Sequence, residues 1–382
     1  MATGGLETRN IVLNMIDLAE ISKLAKTSVQ LPIDWYLDPG ILELEKKVLF
    51  DQGPGYIGHE VMVPEVGDYY VLEWLKSAKV LVRNERGIEL ISNICRHRQA
   101  RILESRGNAR SIVCPLHRWT YALDGTLLGA PHFDRNPCIH LNKTPLQSWH
   151  GLLFNGKRSV AGDMADLGVF GDFDFSGYLF DRVQIDHYDC NWKTFIEVYL
   201  EDYHVNPFHP GLGNFVSTED LAWEFGDRYN VQTVGVNKAR LQRSGTSVYA
   251  KWQKQVLAQY ENTLPPHGAI WLLYFPNIML EWYPHTLVIS TIIPTSVESC
   301  INVVEFYYPE EIALFEREFV EAEQAAYKET AVEDREICMR MTEGRRALYD
   351  QSINETGPYQ MPMEAGMVHF HQFLRRELEP HL

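Results

Sequence analysis

Two short runs, Cys95-Arg96-His97 and Cys114-Pro115-Leu116-His117, with residues 98–113 between them, constrain this chain more than any other feature. Each run presents one thiol and one imidazole on a short stretch of backbone. Thiolates are soft ligands suited to iron–sulfur clusters, and exchanging two of four for neutral imidazoles raises a cluster's potential to roughly -150 to +300 mV. On this reading Cys95 and Cys114 hold one iron of a [2Fe–2S] cluster and His97 and His117 hold the other. Zinc fits less well, because structural Cys2His2 sites place both cysteines in one arm and both histidines in the other. Around the two runs lie short stretches of β character, at 69–75, 79–83, 88–94, 111–114 and 152–154, separated by Gly, Asn and Asp turns, which predicts a small antiparallel β domain. Arg96, Arg98, Arg101, Arg106, Arg110 and Arg118 surround the ligands, with Glu104 the only acid in 96–118. That excess is either a docking rim for an acidic redox donor or a solvated charge run.

A second constellation follows. The stretch 191–209 opens as a helix with Phe195, Val198, Tyr199 and Asp202 at helical spacing. Glu201 and His204, at i and i+3, share a face. Pro207 disfavours helical geometry at Asn206, so the helix is predicted to end or bend there and free His209 to turn back toward His204. Two histidines and one carboxylate, with positions left open, form the facial triad of non-haem Fe(II) oxygenases. The third ligand is expected from the Glu-rich C-terminal helices. There Thr330-Ala331-Val332-Glu333 is a capping-box sequence that predicts a new helix, with Asp334 on its apolar stripe beside Ile337, Cys338 and Met341, and with Glu333 and Glu336 on the polar side. A carboxylate on an apolar stripe has to be ion-paired or metal-bound. Both options stand for Asp334.

Composition bounds the rest. A chain of 382 residues predicts two domains. The longest apolar stretch, 269–280, contains Pro276 and Asn277 and falls short of the ~20 residues a membrane helix needs. The start, Met1-Ala2-Thr3-Gly4-Gly5, lacks the basic and apolar regions of an export signal, which predicts a cytoplasmic location. A net charge of -16 argues against nucleic acid and anionic membrane as partners. Six cysteines in such a length are not a secreted disulfide scaffold. Along the chain, 1–30 is polar to weakly amphipathic, and 39–50 is the clearest helical piece of an N-terminal arm, with Pro39 to open it. A Gly/Asp-rich stretch at 162–177 marks a boundary. Helical segments at 192–204, 309–327 and 333–349 then flank β runs at 270–275 and 287–293. The expected class is α+β, divided into an arm (1–54), a cluster domain (55–160) and a catalytic domain with mononuclear iron (161–382).

With both constellations in this order, the chain resembles the large (α) subunit of the Rieske non-haem iron ring-hydroxylating oxygenases. The likeness runs through 31–50, Asn93-Ile94-Cys95-Arg96-His97-Arg98, Cys114-Pro115-Leu116-His117-Arg118-Trp119-Thr120-Tyr121, Asn191-Trp192-Lys193, Glu333-Asp334 and 364–378. It implies an all-β Rieske domain followed by a catalytic domain with a helix-grip sheet, assembled as a homotrimeric ring in which the cluster of one protomer faces the iron of its neighbour. The family's carboxylate three residues before the first iron histidine bridges the two centres. It is usually Asp; here it is Glu201, with Asp202 the alternative about 100° further round a helix. The implied chemistry is reductive O2 activation at Fe(II) held by His204, His209 and Asp334, with the cluster supplying the second electron and oxygen entering a C–H or C=C bond. Electrons come from NAD(P)H through a separate reductase, with or without a ferredoxin, since no dinucleotide glycine fingerprint is present.

The substrate is a small organic molecule. The aromatic-rich stretch 271–283 belongs in the catalytic sheet and either walls a pocket for an aromatic ring or, with Glu281, offers Trp and Tyr faces to a quaternary ammonium. The family's habit favours mono- or dioxygenation of an aromatic compound. The alternative is hydroxylation or demethylation of a quaternary ammonium or N-methyl compound, to which a Glu at the bridging position also points. A pure electron-transfer Rieske protein is the reading from another class; chain length and the His204/His209 pair argue against it.

Overall fold

The computed structural model describes residues 17–169, 176–241 and 245–382. The chain start on which the export reading rests, the rest of 1–16, and 170–175 of the expected boundary lie outside the described residues.

The arm begins with helix Leu18–Thr27, whose first turn is capped by the Asp17 carboxylate accepting from the Glu20 N–H. Pro39 opens helix Pro39–Glu45 as expected, behind Asp38, whose side chain accepts from the Gly40 N–H; a π-helical turn, Lys46–Phe50, completes it. Glu45 is fully buried and holds the arm to the catalytic domain, accepting from Lys193 Nζ at 2.5 Å and Trp192 Nε1 at 2.7 Å.

The expected β domain is present, in shorter pieces. Gly55–His59 pairs antiparallel with Leu152–Asn155 and brings the two ends of the region together. Between them run a five-stranded sheet, which includes Lys79–Asn84 and Gly87–Ser92, and a three-stranded one of Ile112–Val113, Thr120–Tyr121 and Leu127–Gly129. The run at 69–75 divides into strand Asp68–Val71 and a 3-10 turn, Glu73–Leu75, because Lys76 and Ser77 turn the chain through left-handed φ of 54° and 56°.

The catalytic domain is built on a seven-stranded antiparallel sheet of β1 (Tyr178–Tyr188), β2 (Val216–Phe225), β3 (Tyr229–Val236), β4 (Ala269–Tyr274), β5 (Ile278–Tyr283), β6 (Thr286–Ser296) and β7 (Ser299–Pro309), in the spatial order β1-β7-β6-β5-β4-β3-β2. Its main helices are α1 (Trp192–Tyr199), α2 (Ser247–Gln259), α3 (Arg317–Asp350) and α4 (Ala365–Leu378). The central strands β4 and β5 are buried on both faces, which is why 269–283 reads as an almost unbroken apolar run rather than an alternating one. One face packs Leu272, Leu280, Ile289 and Tyr307 against Tyr56, Leu152 and Phe154 of the β domain. The other packs Trp271, Val288 and Phe306 against Trp252 of α2 and Phe319 and Val320 of α3. The α+β class holds.

Two helix boundaries differ from expectation. α1 stops at Tyr199, where the Leu200 N–H closes onto the carbonyls of Ile196 and Glu197. The chain therefore breaks before Glu201, not at Asn206, and Pro207 sits inside a separate short helix, Val205–Phe208, whose first turn has no use for its missing N–H. The segments expected at 309–327 and 333–349 are instead Glu310–Phe315 and the single 34-residue α3. Residues 318–329 are mostly good helix formers, so nothing interrupts the helix ahead of the capping-box sequence. The Thr330 hydroxyl bonds Tyr249 Oη rather than capping a new start. Among the described residues no helix is long and apolar enough to cross a membrane.

Candidate metal centres

Cys95 and Cys114 stand on two loops that repeat one hydrogen-bond pattern. The Cys95 carbonyl accepts from the Gln99 N–H at 3.1 Å while the Cys95 N–H donates to the Ala100 carbonyl; the Cys114 carbonyl accepts from the Arg118 N–H at 3.1 Å while the Cys114 N–H donates to the Trp119 carbonyl. Gln99 and Arg118 take the same left-handed φ, 56° and 59°. Each loop thus turns its thiol inward, into a core with Ile112, Trp119 and Tyr121, and its imidazole outward. The rings of His97 and His117 lie 4.7 Å apart, His97 stacks on Trp119 at 5.0 Å, and Phe133 closes its edge at 6.0 Å. Burial pushes the Cys114 thiol up and the neighbouring Cys95 sulfur pushes it further, against the lowering pull of the Leu116 and His117 N–H groups. The Tyr121 hydroxyl accepts from the Arg96 N–H at 3.3 Å, leaving its own proton for Cys95 Sγ at 3.4 Å. Nδ1 of His97 is buried and without a hydrogen-bond partner. Such a nitrogen suits a metal ligand, and two inward sulfurs facing two outward imidazoles suit a [2Fe–2S] cluster.

The second constellation also closes. His204 Nε2 and His209 Nε2 lie 3.0 Å apart, and Asp334 Oδ1 is 3.0 Å from the latter and 3.5 Å from the former. Among the described residues these three are the one group of metal-binding type whose donor atoms lie within 4.8 Å of one another. Behind each imidazole stands a carboxylate: Glu201 Oε1 is 2.5 Å from Nδ1 of His204, and Glu333 Oε2 is 2.6 Å from Nδ1 of His209. A carboxylate on the far nitrogen fixes tautomer and ring orientation in metal-bound histidines. Burial pushes His204 down, but Asp334 and Glu201 hold it up at about 10. Burial pushes Asp334 up, and the two histidines bring it down to about 2. The donor set and its backing fit a two-histidine, one-carboxylate iron site.

Glu201 and Asp202 separate clearly. Glu201 remains partly exposed and binds His204 twice, accepting also from its backbone N–H at 3.0 Å. Asp202 is 2% exposed and points elsewhere, accepting from Gln232 Nε2 at 2.9 Å, and burial with the nearby Glu201 charge pushes it up to about 7. Glu333 is the residue missed by reading α3 as two helices, since the capping-box reading placed it on the polar side. Its position beside Asp334 was the available signal.

From Asp334, His204 and His209 a cavity runs between α1, α3 and the sheet, walled by Phe195, Tyr199, Trp252, Trp271, Tyr283 and Tyr327. Its polar wall holds the buried carboxylates of Asp202, Glu281 and Glu323, and among the described residues no lysine or arginine lines it.

Sequence comparison matches residues 56–157 to the Rieske [2Fe-2S] domain and residues 175–379 to the ring hydroxylating alpha subunit (catalytic domain). The chain is 58% identical to putrescine 2-hydroxylase of Ralstonia nicotianae over 365 residues, 96% of this chain and 100% of the relative. It is 51% identical to putrescine 2-hydroxylase of Bordetella bronchiseptica, over 95% of this chain and 87% of the relative. Among solved structures, the quaternary ammonium Rieske monooxygenase CntA with an inhibitor bound has the same fold, with a TM-score of 0.73 at 17% identity over 95% of this chain and 99% of that one.

Proposed function

This chain belongs to the ring-hydroxylating oxygenase α subunits, oxidoreductases that carry a Rieske [2Fe–2S] cluster and a mononuclear non-haem iron, and from that premise we propose that it hydroxylates a short aliphatic diamine, putrescine first. The observation that carries the substrate is the cavity wall: three buried carboxylates, aromatic faces and, beyond the two histidines of the iron site, no basic side chain among the described residues. Such a wall favours a cation and disfavours a neutral ring. The aromatic compound expected from the family's habit finds no support in these two relatives, which are named for putrescine. The amine alternative is supported, with a primary diamine in place of a quaternary one.

In this proposal Cys95, His97, Cys114 and His117 hold the cluster within a domain at 55–160, and His204, His209 and Asp334 hold the iron within 161–382. Bound there, the two centres supply reductive activation of O2. The protein's own groups prepare the place. Glu201 and Glu333 keep the protons of His204 and His209 on Nδ1, so both Nε2 lone pairs point to one position. Tyr199, Trp252, Trp271 and Tyr327 exclude water around the substrate. Glu201, reaching the surface beside His204, is the bridge to a cluster histidine of a neighbour in a three-membered ring. The exposed Leu116 and Phe133, beside His97 and His117, form the surface that meets that neighbour. The electron donor is a separate NAD(P)H-dependent reductase, with or without a ferredoxin.

The test is turnover of the iron-reconstituted protein with a reductase and NADH under 18O2. The expected product is hydroxyputrescine carrying one labelled oxygen, with naphthalene and benzoate unchanged. Oxygenation of the ring compounds with putrescine inert would reject the amine reading, and demethylation of carnitine or choline in preference to putrescine would move it to quaternary amines.

A further inference from the structure

Glu281 sits on β5 in a cross-strand row of Gln232, Trp271, Glu281 and Val288, on the face of the sheet that lines the cavity. It is 4% exposed. Its partners are all neutral: Oε1 accepts from Ser290 Oγ at 2.9 Å and Tyr327 Oη at 3.2 Å, and Oε2 accepts from Tyr283 Oη at 3.0 Å. A carboxylate has about four acceptor positions, so this one, bonded to three hydroxyls, keeps one open toward the cavity. None of the ion pairs among the described residues includes it. A buried carboxylate without a cation is costly.

Unmet acceptors recur around it. Asn302 Oδ1 and Gln232 Oε1 line the same cavity, are buried and have no partner. Glu323 of α3 lines it as well, accepting from Tyr308 Oη at 2.6 Å, and is raised in turn by the Glu281 charge. Arg182 offsets part of the Glu323 charge, whereas the groups that act most on Glu281 are three hydroxyls and the Asp334 carboxylate. Trp252 Nε1 and Tyr199 Oη are unmet donors on the same wall, but with Asp202 Oδ2 and the free position of Glu281 the unmet acceptors outnumber them, and the faces of Trp271, Tyr283 and Tyr327 stand around them. A primary ammonium has three donors and no acceptor, and its charge is attracted to aromatic faces. A trimethylammonium group offers the charge without the N–H donors and leaves those acceptors unmet.

We propose that Glu281, held by Ser290, Tyr283 and Tyr327, is the anchor for one primary ammonium of the substrate and so determines the selection of diamines over neutral and quaternary analogues. This assignment rests on the amine reading above. Its specific content is that one carboxylate, outside both metal centres, sets substrate choice.

The experiment is anaerobic calorimetric binding to the reconstituted holoprotein of putrescine and of 1,4-butanediol, in which hydroxyls replace both ammonium groups. Wild type is expected to prefer putrescine by about a hundredfold, the loss typical of an unpaired buried charge. Glu281→Gln is expected to bring the two ligands to within a few-fold of each other, with iron content and the cluster spectrum unchanged. Glu281→Asp keeps the charge one methylene further back and is expected to retain the discrimination, with the optimum moved toward cadaverine; it also serves if the glutamine variant does not fold. A purely structural Glu281 would weaken both ligands alike and leave their ratio intact, which overturns the assignment while the amine reading stands. Loss of the ratio in Glu323→Gln, with Glu281→Gln unaffected, places the anchor on α3 and overturns it too. If wild type binds neither ligand, the amine reading fails and the anchor with it.

Discussion

At the residue scale, His204 and His209 are set by what stands behind them. Glu201 and Glu333 each take the Nδ1 side of one ring, and the two Nε2 atoms meet at 3.0 Å as a result. Removing such a backing carboxylate typically weakens metal affinity about 10–100-fold. Glu333→Ala is therefore expected to lose mononuclear iron at that level in a titration against free Fe(II), with the cluster absorbance untouched. Glu333→Gln, whose amide oxygen still accepts from Nδ1, should recover part of it; an unchanged iron affinity in the alanine variant would remove Glu333 from the site. The contrast with Asp334 shows what a sequence discloses. Cysteine and histidine candidates announce themselves by residue type and close spacing, and Asp334 by an acid on an apolar stripe. Glu333 is an acid among many on a Glu-rich helix, and only the three-dimensional approach of His209 distinguishes it. Asp202 fails in the opposite way: its place in the run was suggestive, yet the break before Glu201 turns it toward Gln232.

At the element scale, α3 connects Asp334 to the arm. Eleven residues beyond Asp334 on the same helix, Arg345 reaches Glu197 of α1 at 2.7 Å, and Glu197 also bonds His371 of α4 at 2.9 Å and the hydroxyl of Tyr36. Three helices and the arm thus share one buried carboxylate. Burial raises Glu197, and Arg345 with His371 bring it down to about 2. Removing one member of a buried pair strands the other charge and costs about 3–5 kcal/mol, so Arg345→Met is expected to lose that much in urea unfolding; a loss below 1 kcal/mol would show that the network does not support α1. The pH dependence has a definite sign. A carboxylate depressed in the folded state contributes stability that is fully present above its ordinary value of 4.5 and is lost as pH falls toward about 2. The melting temperature of wild type should fall across that window, and Arg345→Met should begin its fall at higher pH. Helical character was legible for α1 and α3, but not where α1 ends or that α3 runs unbroken, and α4 stood out only as a stretch shared with the family. The stop after Tyr199 and the passage of α3 through Thr330 follow from tertiary contacts, such as Thr330 with Tyr249, that lie outside any local window.

At the scale of the whole molecule, the β domain is fastened to the back of the catalytic sheet, where Tyr56 and Tyr307 both donate to Glu305 at 2.6 Å. The imidazoles of the cluster loops point outward and the partly exposed Glu201 stands beside His204, so each centre presents its polar rim to a surface. If the working pair spans two protomers of a ring, a chain defective in one centre can be complemented by a chain defective in the other. Cys114→Ala should lack the cluster and Asp334→Ala the mononuclear iron, and each homogeneous protein should be inactive. Co-expressed in equal amounts in a three-membered ring, they pair an intact cluster with an intact iron at about one interface in four. The mixed protein should then recover close to a quarter of wild-type turnover per chain, with the recovered activity eluting at the size of the ring. Within a single chain the two defects never cancel, whatever the mixing ratio. A mixture as inactive as either parent would therefore place the electron path inside the protomer and return Glu201 to a role confined to orienting His204.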